Sequence, residues 1–375
     1  MEIGILSMQR VINYGSFLQA YALQQIIKSM GDGIEVSFID IIPGKPAEHA
    51  IWENGGTKLV SAKINEKQSK KYQGGLLKIL IRKQHSVKFI LVMKRYQKKY
   101  FCSEKTEGKR YDLAVIGSDE VFNGIQNVPW GLSLQLYGKH INAERIISYA
   151  ASCGYTTLEY LTEREKKQIK GAMEHISSFS VRDGNTRTFV YELTGKEALF
   201  HLDPVLIYDF KREASKSRLR WKKSYLLVYS YGNRIKSEEE IKAIRKYAKK
   251  KNLEIISAQG FQFWCDRHVV VTPFELLSLF QNAACVVTDT FHGTVISAKY
   301  NKRFVAIVRE SNYNKLADLA GRINIQERIL KKIECLDELM DTPFDFSETN
   351  RIIERERLRT FEYLRENIRL AGDKK

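Results

Sequence analysis

Cysteine is scarce and scattered in this chain. The five present in 375 residues, Cys102, Cys153, Cys265, Cys285 and Cys335, stand 51, 112, 20 and 50 positions apart, with no Cys-x-x-Cys pair. That spacing writes neither a zinc site nor a disulfide framework. None of the seven histidines stands at ligand spacing from another His, and no dedicated metal is expected. Glycine-rich nucleotide fingerprints are also missing: neither G-x-G-x-x-G nor G-x-x-x-x-G-K-[ST] occurs, which argues against NAD and P-loop ATP chemistry. No apolar run approaches the roughly 18 residues that span a bilayer. Met1 leads into the strand-like Ile3-Gly4-Ile5-Leu6 with no basic leader, so the expected location is cytoplasmic. Proline is rare, at 6 residues against 23 glycines, and 43% of the chain is hydrophobic, which excludes a disordered or collagen-like polymer. A length of 375 residues suggests two domains.

Acidic residues are nearly absent from one segment. Between Lys58 and Arg110 there are 16 Lys/Arg against 3 Glu, which is +13 of the total +17, leaving +4 for the other 322 residues. The same segment holds the apolar stretches Leu76 to Ile81 and Val87 to Met93, as in a basic amphipathic helix. An anionic membrane surface or a phosphate-bearing acceptor is a natural partner, and a helical insertion with a solvated charged face is an equal alternative. Nucleic acid ranks last, because no recognised binding motif and no regular aromatic interleaving is present.

The rest of the chain alternates short β-rich runs with helical stretches. Strands are expected at Glu2 to Ser7, Glu35 to Ile41, Leu113 to Ile116, Arg145 to Ala150 and Ser178 to Val181, with helices from Ser16 to Met30 and Thr162 to His175. Leu199 to Ile207 closes this unit and a polar stretch, Lys211 to Lys223, reads as a linker. The pattern restarts with strands at Tyr225 to Ser230, Leu253 to Ser257, Cys285 to Thr288 and Phe304 to Val308, and helices at Lys236 to Lys250 and Thr272 to Asn282. Such alternation means parallel α/β sheets. The expected plan is two Rossmann-like domains facing a cleft, over residues 1–210 with the basic helical insertion at about 58–110, and over 224–330. A long C-terminal helix at 345–372 is expected to pack back on the first domain. A site is expected outside the carboxyl ends of the strands.

Three loops there suit an anion, because unpaired N–H groups and a helix dipole converge at a strand-to-helix turn. In Asn13-Tyr14-Gly15-Ser16, Gly15 allows close backbone approach and Asn13 offers donors and an acceptor, although alone it reads as an ordinary capped turn. In Gly117-Ser118-Asp119-Glu120-Val121-Phe122-Asn123, Asp119 suits proton acceptance from a sugar hydroxyl, and a capping role for Ser118 or Asp119 is equally open. The third, Thr288-Asp289-Thr290-Phe291-His292-Gly293-Thr294, sets a histidine at a helix start, where it can serve as donor or general acid beside a phosphate. Arg182, after Ser178 to Val181, offers a planar fork for carboxylate or phosphate, or a salt bridge to Asp183 or a distant acid.

These stretches, with Ser148-Tyr149-Ala150-Ala151-Ser152, Ser180-Val181-Arg182-Asp183 and Leu202-Asp203-Pro204-Val205-Leu206, run in order from residue 1 to about 310 and together resemble the polysaccharide pyruvyl transferase family. The resemblance implies a GT-B-like fold. It further implies transfer of a pyruvyl group from phosphoenolpyruvate, a co-substrate rather than a cofactor, to hydroxyls of a surface polysaccharide or its lipid-linked precursor, commonly as a cyclic ketal. On that basis His292 and Asp119 are the expected acid and base. Arg182, Gly117, Ser118, Thr290, Gly293 and Thr294 are the expected donor contacts, and Asn13, Tyr14, Gly15, Ser16 and Asn123 the acceptor contacts, with no metal. Two positions depart: many relatives carry Asp where this chain has Ser16, and Arg where it has Thr290. Asp119 or Asp289 is then the candidate base, and Lys299, Arg303, Arg309 or Lys315 the candidate cation. The alternatives are a nucleotide-sugar glycosyltransferase on the same fold, or a non-catalytic scaffold of polysaccharide assembly. The basic segment suggests a peripheral position at the inner face of the membrane.

Overall fold

A computed structural model describes residues 1–49, 76–101, 108–126, 128–217, 219, 221–232, 234–309 and 312–373. The parts of the basic segment at 58–75 and 102–107 lie outside the described residues.

The first unit is a six-stranded parallel sheet of order β2-β1-β3-β4-β5-β6, built from β1 (Glu2–Leu6), β2 (Glu35–Phe38), β3 (Tyr111–Asp119), β4 (Ala143–Ala151), β5 (Phe179–Val181) and β6 (Ala198–Phe200). All nine residues of β3 are buried, and its centre, Leu113 to Ile116, reads as an unbroken apolar run because a central parallel strand is covered on both faces. Its helices are α1 (Tyr14–Lys28), α2 (Leu76–Phe101), α3 (Glu163–Met173), α4 (Gly184–Thr194), α5 (Pro204–Ile207) and α6 (Lys211–Ala214). Within the closing stretch Leu199 to Ile207, residues 204–207 form the helical turn α5, because Asp203 caps the Val205 N–H and Pro204 is pre-set for a first helical position.

The second unit repeats the plan in the order β12-β11-β10-β7-β8-β9, from β7 (Tyr225–Ser230), β8 (Glu254–Gln259), β9 (Arg267–His268), β10 (Cys285–Thr288), β11 (Phe304–Ile307) and β12 (Ile329–Leu330). Its helices are α7 (Glu238–Lys250), α8 (Pro273–Asn282), α9 (Phe291–Lys299), α10 (Tyr313–Arg322) and α11 (Leu336–Asp341). The two-residue edge strands β9 and β12 are too short to carry a period of their own.

One hydrophobic cluster joins the units, running from Phe17, Leu23, Val115 and Leu206 to Leu227, Phe280 and Val295. The 26-residue α12 (Ser347–Gly372) then crosses back to the first sheet. There the Tyr363 hydroxyl donates to the Ser148 carbonyl at 2.9 Å and Arg145 Nε donates to Asn367 Oδ1 at 2.9 Å. Among the described residues no helix is long and apolar enough to cross a membrane.

Both sheets reverse their strand order at one point, between β1 and β3 in the first and between β7 and β10 in the second. Helices leave opposite faces there and open a crevice at the carboxyl ends. In this molecule the two crevices face each other.

Candidate functional site

The first wall begins where β1 ends. Asn13 caps α1, its Oδ1 accepting from the Gly15 N–H at 2.6 Å, while its Nδ2 donates to the Tyr231 hydroxyl beyond β7 at 2.7 Å. Tyr14 donates its hydroxyl to the Val271 carbonyl at 2.6 Å, which ties the start of α1 to the second unit again. A Cβ on Gly15 would sit 2.2 Å from His292 Nδ1, so glycine lets the N-terminal ends of α1 and α9 close upon each other. Ser16 Oγ donates to Asp119 Oδ2 at 2.7 Å and thereby joins the first loop to the second.

Asp119 ends β3 in the left-handed region at φ 79°, a conformation that aspartate tolerates better than most residues. Gly117 has φ 132°, and a Cβ there would stand 2.1 Å from the Tyr149 carbonyl oxygen, so neither φ nor space admits a larger residue. The Ser118 carbonyl accepts from Ser7 Oγ at 3.1 Å. Glu120 pairs with Lys315 of α10 across the cleft and accepts from Asn123 Nδ2 at 2.7 Å. Burial alone would raise its pKa, but the Lys315 ammonium, Arg182 and Asn123 outweigh it and hold the carboxyl at about 2. Asn123 is thus occupied by Glu120 and by the Thr156 hydroxyl, which donates to its Oδ1 at 2.8 Å.

Arg182 is the centre of this wall. The residue is only 5% exposed, and its guanidinium lies 3.1 Å from Asp203 Oδ2 and 3.4 Å from Asp119 Oδ1, with the Phe291 ring 4.3 Å away. Burial works against its charge, and Asp119, Asp203, Glu120 and Asp183 together overcome that and push its pKa up. Asp203, which also accepts from the Val205 N–H at 2.9 Å, lies 3.4 Å from His292 Nε2, a close approach without hydrogen-bond alignment. Burial disfavours the Asp203 carboxylate, yet His292 and Arg182 bring its pKa below the ordinary value. One carboxylate therefore serves a cation from the first wall and a histidine from the second.

The second wall is the start of α9. Thr290 caps it, Oγ1 accepting from the Gly293 N–H at 2.9 Å, and Thr294 Oγ1 donates to the Thr290 carbonyl at 3.1 Å. A Cβ on Gly293 would meet Thr288 Oγ1 at 2.0 Å. Asp289 takes Arg309 Nε at 3.3 Å, and burial pushes its carboxyl pKa up despite that partner. Of the four candidate cations, Arg309 and Lys315 stand at this end of the sheet. Arg303 precedes β11 and so lies at its amino end, while Lys299 closes α9 and donates to the Leu206 carbonyl at 3.2 Å.

The sequence reading did not single out the hub, Asp203, or the Arg322 guanidinium that donates to the Arg182 carbonyl at 2.9 Å. Asp-Pro directly after a strand was the available signal for the former, as a helix start at a carboxyl end. For the latter no local signal exists, since α10 reaches Arg182 only through the fold. Among the described residues no group of three or more His, Cys, Asp or Glu is placed to hold a metal.

The model of the family described as polysaccharide pyruvyl transferase matches residues 13–311, from the α1 cap past Arg309. The chain belongs to the polysaccharide pyruvyl transferase family. A pyruvyl transferase is thus built here on two Rossmann-like units with a returning C-terminal helix, a GT-B type of plan. Among solved structures it is similar to a UDP-GlcNAc 2-epimerase of Methanocaldococcus jannaschii, at 11% identity and TM-score 0.49 over 95% of this chain and 99% of that one. It is also similar to the Neisseria meningitidis UDP-GlcNAc 2-epimerase bound to UDP-GlcNAc, at 7% identity and TM-score 0.46 over 96% and 100%. The glycosyltransferase VinC in complex with DTDP is similar at 11% and 0.45, over 100% of each chain. No curated protein matches the sequence.

Proposed function

We propose that this pyruvyl transferase moves the pyruvyl group of phosphoenolpyruvate onto two hydroxyls of one sugar in a surface polysaccharide or its lipid-linked precursor, closing a cyclic ketal. The observation that carries the reading is the line of groups across the closed cleft: Ser16 to Asp119 to Arg182 to Asp203 to His292. A guanidinium flanked by an acid-base candidate on each side suits a donor that has a carboxylate, a phosphate and a carbon to be protonated.

In this reading Arg182 binds the carboxylate or phosphate of the donor once the cleft opens, exchanging its bonds to Asp119 and Asp203 for bonds to the ligand. His292, beside Asp203, gives a proton to the methylene carbon, and C2 becomes an oxocarbenium centre. A sugar hydroxyl adds to C2 as Asp119 takes its proton, with Ser16 orienting the carboxylate. The C2–O bond to phosphate then breaks with its electron pair on phosphate, which leaves with the proton that Asp119 took. The second hydroxyl adds to the oxocarbenium centre left at C2, gives its proton back to His292 and closes the ring. Lys315, paired with Glu120, and Arg309, held by Glu240 and Asp289, are the cations this reading assigns to the charge of the leaving phosphate.

Thermal unfolding with phosphoenolpyruvate and with a panel of nucleotide sugars tests this, for wild type, Arg182→Ala and His292→Ala. A ligand at a hundred times its Kd stabilises by about 2.7 kcal/mol. Stabilisation by phosphoenolpyruvate that vanishes in Arg182→Ala is expected. Stabilisation by a nucleotide sugar alone returns the site to glycosyl transfer.

A further inference from the structure

Helix α2 has two faces of opposite use. Its inner face carries His85, Phe89 and Met93, all buried, and Phe89 meets the Tyr14 ring edge-on at 5.1 Å. Gln97 donates to the carbonyls of Gln9 at 2.9 Å and Val11 at 2.8 Å, so α2 holds the loop that leads into Asn13 and the cleft. At the second unit, the His85 ring lies 5.7 Å from that of Phe261. The helix therefore straps the mouth of the cleft from outside.

Its outer face is apolar where water is expected. Leu80, Val87 and Leu91 are 55%, 56% and 62% exposed. At 100° per residue they fall within about 40° of one another, about 180° from the buried stripe. Exposed Lys83 and Lys94 flank them on one side and exposed Lys88 and Arg95 on the other, with Lys98 continuing the row. Residues 76–101 hold eight Lys/Arg and no Asp or Glu. A solvated helix has no use for three large exposed side chains in register, and a protein partner would be expected to answer eight cations with acids of its own. A row of apolar groups rimmed by lysines, about 27 Å from Leu80 to Lys98, matches the boundary between acyl chains and anionic headgroups.

We propose that α2 docks this protein on an anionic bilayer, with Leu80, Val87 and Leu91 entering the interface and the flanking Lys and Arg on the headgroups. The purpose of the docking rests on the lipid-linked acceptor of the reading above: the inner face of the same helix positions the Met8 to Asn13 loop, so the bilayer and the cleft lie on either side of one strap. The surface itself is independent of the donor.

The test uses the full chain with vesicles of phosphatidylcholine and of an equimolar mixture of phosphatidylglycerol and phosphatidylcholine. Wild type should sediment with the mixed vesicles and stay in solution with the neutral ones. Leu80→Ser/Val87→Ser/Leu91→Ser and Lys83→Glu/Lys94→Glu/Lys98→Glu should each weaken that binding about tenfold or more, with unfolding temperature and stabilisation by phosphoenolpyruvate as in wild type. No binding of wild type to the mixed vesicles overturns the proposal, as does undiminished binding by either triple variant. Conversion of a wild-type dimer to a monomer by the serine variant also overturns it, because a second copy then covers the face. Failure of phosphoenolpyruvate to stabilise wild type leaves the vesicle result standing and sinks only the donor assignment.

Discussion

The two walls of the cleft share a topology and differ in charge. At the carboxyl end of the first sheet stand Asp119, Glu120, Asp183 and Asp203 around one arginine, whereas the second presents His292, Lys315 and Arg309, the last held by the deeply buried Asp289 and by Glu240. Glu120 and Asp289 occupy corresponding places just past their strands, yet cationic partners hold the first carboxyl at about 2 while burial pushes the second up. A parallel sheet offers the same crevice in both units, so the difference comes from which residues the loops supply. The consequence is a cleft closed by complementary polar pairs, Glu120 on Lys315 and Asp203 beside His292, rather than by apolar contact alone.

The sharpest way to break that complementarity is Asp203→Ala. It takes from Arg182 the nearer of its two carboxylates and from His292 the acid beside it, and loss of one partner from a buried pair costs about 3–5 kcal/mol. Chemical denaturation should read that loss, with Asp203→Asn costing less because the caps and the space are kept. Behind the first wall, His201 stands with Nδ1 2.8 Å from Ser180 Oγ, and burial, then Arg359 and Arg322, lower its pKa to about 4. The unfolded chain binds this proton near pH 6.5 and the folded one near 4, so stability should fall as pH drops through that window, by on the order of 3 kcal/mol. His201→Gln should flatten the slope. Below that, Glu120 adds a second loss as pH falls from about 4.5 towards about 2, since its folded pKa is depressed.

Gly15→Ala tests the contact between the walls themselves. Its Cβ would meet His292 at 2.2 Å, and overpacking of this kind costs about 1–3 kcal/mol. Small-angle scattering should report a more open particle, while an unchanged radius would mean that His292 simply rotates aside. The smallest effect belongs to a pair outside the comparison: the Arg187–Glu197 bridge is half-exposed at 2.8 Å, and its removal should change stability by less than about 1 kcal/mol.

Much of this was legible in the residues. Tyr225–Ser230 and Cys285–Thr288 stand where apolar runs bounded by turn residues put them, because a strand covered on both faces leaves an unbroken hydrophobic signature. Thr162 and Thr272 each open a helix through a capping box, visible as Thr followed by Glu three residues on. Edge strands β9 and β12 were not legible, having two residues each, nor was α5, where the Asp-Pro start overrode an apolar run. At the site, Ser16 and Asp119 were each visible at a loop, but not that the hydroxyl of one would meet the carboxylate of the other at 2.7 Å across 103 positions. Nor could spacing separate Lys315, which faces Glu120, from Lys299, which caps the Leu206 carbonyl at the far end of α9.

Local composition and periodicity alone determined the two α/β units, the loops at their strand ends, the family motifs and the basic helix. Those are short-range properties: an apolar period, a cap or a run of lysines depends on neighbours within a few turns of chain. Only the tertiary structure decided that Asp203 is shared by Arg182 and His292, that Ser16 is coupled to Asp119, and that α2 turns Leu80, Val87 and Leu91 outward while strapping the cleft loop. The reason is that strand order, set by burial of whole sheets, brings together side chains that no local rule relates, and their charges act only at the distances the fold allows.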